Sequence, residues 1–243
     1  MHTAGLPARR GVLTGGLAAA VVALSGCSSP PPRKVATAAP QPRPATPQAA
    51  FTRLMEGNKR WVSGSLDHPG RDPERRELTA EAQDPFGVVL SCIDSRVAPE
   101  LIFDTGLGDL YVLRTGGQAV GPVVTGSVEY GPMTGGTPLV VVLGHQRCGA
   151  VEAAYTSLKA GKPLPGNLEA LAKAMVPAYE LTARNPGADP VDTMTHHQIK
   201  VTADDLRTNS DLGPLVAKGA LGVVGAYYSL DTGKVEVLTG APA

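Results

Sequence analysis

The chain has 243 residues, long enough for one well-buried domain with extensions. Its 22 basic and 22 acidic residues cancel, so nothing suggests the basic patch of a nucleic-acid partner, and none is expected. Glycine and proline are abundant, and part of that excess sits in the first fifth, which does not read as a folded domain.

In chain order, Arg9-Arg10 precede a small and apolar run from Gly15 to Leu24, the plan of an export signal. That run is shorter than the roughly 20 residues of a membrane span. It ends in Leu24-Ser25-Gly26-Cys27, which resembles a bacterial lipobox. The resemblance implies a signal peptide over residues 1–26, cleavage before Cys27 and a lipid on its thiol; an uncleaved anchor is the alternative. The arginine pair is similar to a twin-arginine signal. Residues 27–50 are rich in Pro, Ala, Thr and Gln and are expected to form an extended tether. A folded domain over 51–243 would then stand on the outer face of the bacterial cell membrane.

Phe51, Leu54, Met55, Trp61 and Val62 have the spacing of an amphipathic helix over Phe51 to Ser63, which Gly57-Asn58 weakens in its middle. Gly64 to Pro85 is polar and reads as an arm or surface loop with a short helix near Leu78 to Gln83. Strands are predicted at Phe86 to Ile93, Asp109 to Arg114, Thr137 to Leu143 and Leu221 to Leu230, the last turning at Asp231-Thr232-Gly233 into Lys234 to Thr239. Helices are predicted near Pro99 to Phe103, Val123 to Gly131, Val151 to Ala160, Asn167 to Ala183 and His196 to Asn209, with Leu215 to Lys218 short. Strands alternating with helices predict an α/β fold, a mostly parallel sheet flanked by helices. His196 and His197 are adjacent, so they cannot share a helix face and read as surface or packing residues.

Two strand ends carry reactive groups. In an extended segment Cys92 and Asp94 point to one side, where a thiolate and a carboxylate would repel without something positive between them. A metal ion or Arg96, two residues further on, could fill that place. The next apolar strand ends in His145-Gln146-Arg147-Cys148, whose His-x-x-Cys spacing lets one turn present both donors to one ion. Cys92, Asp94, His145 and Cys148 together offer the donors of four-coordinate zinc. A disulfide between Cys92 and Cys148 is the other reading in an exported protein, but it leaves Asp94, Arg96 and His145 unexplained.

The pattern Cys92-x-Asp94-Ser95-Arg96 with His145-x-x-Cys148-Gly149 resembles the β-class carbonic anhydrases. The likeness extends over Leu54 to Trp61, Gly106 to Asp109, Arg114, Ser127 to Tyr130 and the closing strand, nearly all of Phe51 to Leu238. It implies zinc on Cys92, His145 and Cys148, with water or Asp94 in the fourth position. Arg96 would draw Asp94 off the metal so that water binds, ionises near pH 7 and, as hydroxide, attacks carbon dioxide to give bicarbonate. At lower pH, Asp94 would return to zinc and close the site. Gly149, Tyr130 and Gln118 are expected in the substrate pocket. Relatives inhibited by bicarbonate use a Trp, an Arg and a Tyr; Arg114 and Tyr228 match, whereas Val89 stands at the Trp position. A homodimer or higher homo-oligomer is implied. The rival functions are hydrolysis of carbonyl sulfide or carbon disulfide on the same scaffold, and zinc binding without catalysis.

Overall fold

The apolar runs Gly87–Cys92 (β1), Leu139–His145 (β3) and Gly222–Tyr228 (β4) are buried almost end to end, as strands covered on both faces must be. The structure, a computed structural model, describes residues 42–242; the signal peptide read over 1–26, Cys27 and the tether as far as residue 41 lie outside the described residues. Leu110–Thr115 (β2) and Val235–Thr239 (β5) form the edges of a five-stranded sheet of order β2-β1-β3-β4-β5. All neighbouring pairs are parallel except β4 with β5. Leu90 lies opposite Val142 and Ser91 opposite Leu143, so Cys92 and His145 leave adjacent strands at the same rim.

The helices are α1 (Pro47–Ser63), α2 (Pro73–Leu78), α3 (Pro99–Ile102), α4 (Pro122–Gly135), α5 (Gly149–Ala160), α6 (Leu168–Ala174), α7 (Val176–Arg184), α8 (Pro190–Thr208) and α9 (Gly213–Ala217). Alternation along β1 sends Val89 to one face, with Leu54 of α1, Phe103 and Leu143, and Val88 and Leu90 to the other, with Ile199 and Leu206 of α8. The expected α/β architecture is therefore the observed one. Among the described residues no helix is long and apolar enough to cross a membrane.

Several boundaries differ from those the sequence predicts. The first helix starts at Pro47 rather than Phe51, so the last residues expected in the tether are helical. Thr46 caps it by accepting from Ala49 N–H, Pro47 suits its first turn, and Ala50 is buried. The short helix of the arm is Pro73–Leu78 and not Leu78 to Gln83, because Asp72 caps Arg75 N–H and Pro73 starts the turn. The helix expected over Asn167 to Ala183 is two, broken at Met175, where Pro177 lacks an N–H and restricts its predecessor. The helix expected from His196 starts at Pro190, capped by Asp189 on Val191 and Asp192 N–H. His196 stacks on Tyr227 while His197 bonds Thr182, so the two diverge as expected.

Gly57-Asn58, a weakness by propensity, is a contact by structure. A Cβ at Gly57 would lie 1.8 Å from the Phe103 carbonyl, so only glycine lets α1 cross there. Asn58 donates to Ile102 O and Gly233 O and accepts from Val235 N–H, tying α1 to the β4–β5 turn.

The arm is fastened by Asp104, whose fully buried carboxylate accepts from Arg60 Nε at 2.7 Å, Asp67 N–H at 2.9 Å and His68 N–H at 3.1 Å. Burial pushes this carboxyl up, but Arg60 and the two amides outweigh it and hold it below the ordinary range. A depressed carboxyl stabilises the fold above its unfolded pKa, about 3.9, and loses that contribution as pH falls through the folded value. Asp104→Ala is expected to cost about 3 kcal/mol in urea unfolding at pH 7, because it removes the buried acceptor of the half-buried Arg60 guanidinium and of two amides. The gap to wild type should narrow in the same measurement below about pH 4.

Candidate metal centre

Cys92 closes β1, His145 closes β3, and Cys148 precedes the first turn of α5. All three are buried, and their ligand atoms lie within 4.8 Å of one another. Both cysteines are free, with sulfurs 3.7 Å apart against about 2.05 Å for a disulfide, so the disulfide reading does not hold. The carbonyl of Gln146 can only accept, so the 2.9 Å contact puts the His145 proton on Nδ1. Nε2 is then a free lone pair, fully buried and without a hydrogen-bond partner. An orphaned imidazole nitrogen facing two thiols fits a zinc ion and little else.

The thiols oppose each other's ionisation. The hydrogen bond from Cys148 outweighs burial and, with the Gly117 N–H at 3.4 Å, holds Cys92 below the ordinary thiol range. The hydrogen bond to Cys92 and burial push Cys148 above it. A dication between them removes the conflict and takes both as thiolates.

Asp94 stands beside this group, its Oδ2 at 3.9 Å from His145 Nε2. Arg96 grips it with Nε on Oδ1 at 2.8 Å, Nη2 on Oδ2 at 2.7 Å and its own N–H on Oδ1 at 2.9 Å. Those bonds hold the carboxyl well below the usual carboxylate range. The pairing arises differently from the sequence expectation. β1 ends at Cys92 and residues 93–96 turn, so Asp94 and Arg96 meet across a turn, not along one side of an extended strand. Arg96 also donates to Arg147 O at 3.3 Å, and Arg114 donates to the carbonyls of Cys92 and Asp94.

The other expected positions fall as follows. Gly149 opens α5 directly after Cys148. Gln118 is fully buried behind Gly144, in the left-handed region at φ +53°, and its side-chain amide has no hydrogen-bond partner. Tyr130 is exposed on α4 and packs edge-on against Tyr111 rather than against the Cys–His group. Tyr228 accepts from Trp61 Nε1 at 3.2 Å, and Arg114 is engaged with the two carbonyls. The sequence reading missed the Gly117 N–H and the Gln146 carbonyl; the adjacent Gly116 and Gly117 are the signal for the first.

The model of the carbonic anhydrase family matches residues 87–235. The chain belongs to the carbonic anhydrase family. Carbonic anhydrase 2 of Mycobacterium tuberculosis is 39% identical to it over 189 residues, 77% of this chain and 91% of that protein. The carbonic anhydrase of Mycolicibacterium smegmatis is 38% identical over 192 residues, 79% of this chain and 93% of that one. The β-carbonic anhydrase CcaA shares its fold at a TM-score of 0.64, with 24% identity over 78% of this chain and 95% of the other. A tetrameric β-carbonic anhydrase of Sordaria macrospora does so at 0.62, with 20% identity over 77% and 96%.

Purified protein of this carbonic anhydrase fold is expected to retain stoichiometric zinc by elemental analysis. Cys92→Ser and Cys148→Ser should each lose it, since a hydroxyl does not replace a thiolate ligand.

Proposed function

We infer that this chain catalyses the reversible hydration of carbon dioxide to bicarbonate and a proton, as a zinc-dependent β-carbonic anhydrase. The observation that carries this is the convergence of two buried thiols and an unpartnered imidazole nitrogen beside a carboxylate locked by arginine. Relatives named carbonic anhydrase favour carbon dioxide over carbonyl sulfide or carbon disulfide as substrate.

Cys92, His145 and Cys148 would hold zinc, which when bound supplies a Lewis acid and lowers the pKa of a coordinated water to about 7. The remaining work belongs to the chain. Asp94 stays a carboxylate throughout the neutral range and is too weak a base to keep a proton there. Its role is to accept a hydrogen bond from the attacking oxygen and so orient it. Arg96 keeps that carboxylate turned toward itself and ionised.

The reading extends to location and assembly. The Arg9-Arg10 start and Leu24-Ser25-Gly26-Cys27 support an exported form, lipid-anchored through Cys27, with residues 28–41 in the tether. Val123, Tyr130 and Met133 form an exposed apolar stripe on α4, which supports a homodimer or larger homo-oligomer. Tyr130 is then presented to a neighbouring copy.

Stopped-flow hydration of carbon dioxide tests the activity. Wild type should be active and lose its activity to a zinc chelator, and Asp94→Asn should retain zinc while losing at least about tenfold in kcat. A zinc-loaded wild type without hydratase activity would overturn the reading and leave the carbonyl sulfide or carbon disulfide hydrolase and the non-catalytic zinc protein as its rivals. Cys27→Ala should move the protein from the membrane fraction to the soluble one, measured by fractionation and immunoblot.

A further inference from the structure

Between the two ligands of the His145-x-x-Cys148 turn lie Gln146 and Arg147, whose carbonyls and side chains face opposite ways. Inward, the Gln146 carbonyl takes the His145 Nδ1 proton at 2.9 Å and the Arg147 carbonyl receives Arg96 Nη2 at 3.3 Å. Outward, both side chains end on one carboxylate, that of Asp231 in the turn after β4. Gln146 Nε2 reaches it at 2.9 Å, and Arg147 binds it through both terminal nitrogens at 3.0 and 2.7 Å. The Asp231 N–H returns a bond to Gln146 Oε1 at 3.3 Å, and Gln146 N–H is held by Tyr228 O at 3.0 Å.

Arg147 sits at φ +53°, a left-handed conformation that favours glycine. A residue with a side chain stays there only where its surroundings hold it. The Arg147 guanidinium, then Gln146, hold the Asp231 carboxyl down to about 2, so the clamp is ionised at any neutral pH.

We propose that Asp231 is a positioning residue for the metal centre: by gripping Gln146 and Arg147 from outside, it aims their carbonyls at the His145 ring and the Arg96 guanidinium. The proposal rests on Cys92, His145 and Cys148 being the zinc ligands. It separates site geometry from fold stability, because the Arg147–Asp231 pair is more than half exposed at 55% and 58%, where ion pairs contribute little to folding. Groups that orient a histidine ligand, by contrast, change metal affinity or activity by about 10–100-fold when removed.

The test compares the full-length, zinc-loaded wild type with Asp231→Ala, Arg147→Ala and the double variant; Lys173→Ala, which breaks an exposed pair on α6, is the control. Zinc transfer to a chromogenic chelator is read first, then kcat and KM, then Tm. Asp231→Ala is expected to release zinc at least about tenfold faster and to lower kcat about tenfold with KM little changed, at a Tm within a few degrees of wild type. The double variant should be little worse than Asp231→Ala alone, since the carboxylate acts through Arg147 and its neighbour. Zinc release and kcat both within about twofold of wild type would overturn the proposal. So would a fall in Tm large enough to explain the loss, which would make Asp231 a brace of its turn and nothing more. A wild type that binds no zinc would instead sink the reading of the ligands, and one that binds zinc without hydrating carbon dioxide would leave the release measurement valid.

Discussion

Two sulfurs buried 3.7 Å apart cannot both carry charge in apolar surroundings unless a cation lies between them. The parallel register of β1 and β3 creates that situation, because it brings the last residues of both strands to one rim. The neighbours are chosen accordingly. Val151, Met175 and Met194 share one buried apolar cluster with both sulfurs, and such low-dielectric surroundings strengthen charge interactions. Gly117 lends its N–H to one sulfur, and a larger residue there would strike Met175.

The charges around the centre are handed on through backbone carbonyls. Arg114 fastens the carbonyls of Cys92 and Asp94, Arg96 fastens the Asp94 carboxylate and the Arg147 carbonyl, and Gln146 O fixes the histidine tautomer. Two guanidiniums beside two thiols and a carboxylate keep the negative groups from repelling one another and leave the metal-facing atoms uncommitted. Asp94 is consequently held as a hydrogen-bond acceptor, and its Oδ2 lies 3.9 Å from His145 Nε2, a small movement away from the ligand group.

Parts of this were legible in the chain. The buried strands appear as unbroken apolar runs, and the donors stand at the ends of two of them, so fold class and ligand set could be read together. The helix start at Pro99 was read correctly, whereas starts were read late at Pro47, Pro73 and Pro190, where a proline opens the helix behind a capping side chain. There the capping side chain, not apolar spacing, sets the boundary. Gly57-Asn58 looked like a defect because propensity is local, whereas the carbonyls that Asn58 meets belong to segments 44 and 175 residues away.

By itself the sequence determined which chemistry is available: two thiols, an imidazole, a carboxylate and a guanidinium, each adjacent to a strand end. Side-chain type and short spacing suffice for that, because strand periodicity and ligand turns are local. Only the tertiary structure decided which nitrogen of His145 is free, that Asp94 and Arg96 meet across a turn, and that Asp231 holds the ligand loop. The Asp231 grip joins segments 84 residues apart, and the two local bonds need the turns that β1 and β3 enter when they leave the sheet, a geometry that exists only once the strands have taken their register.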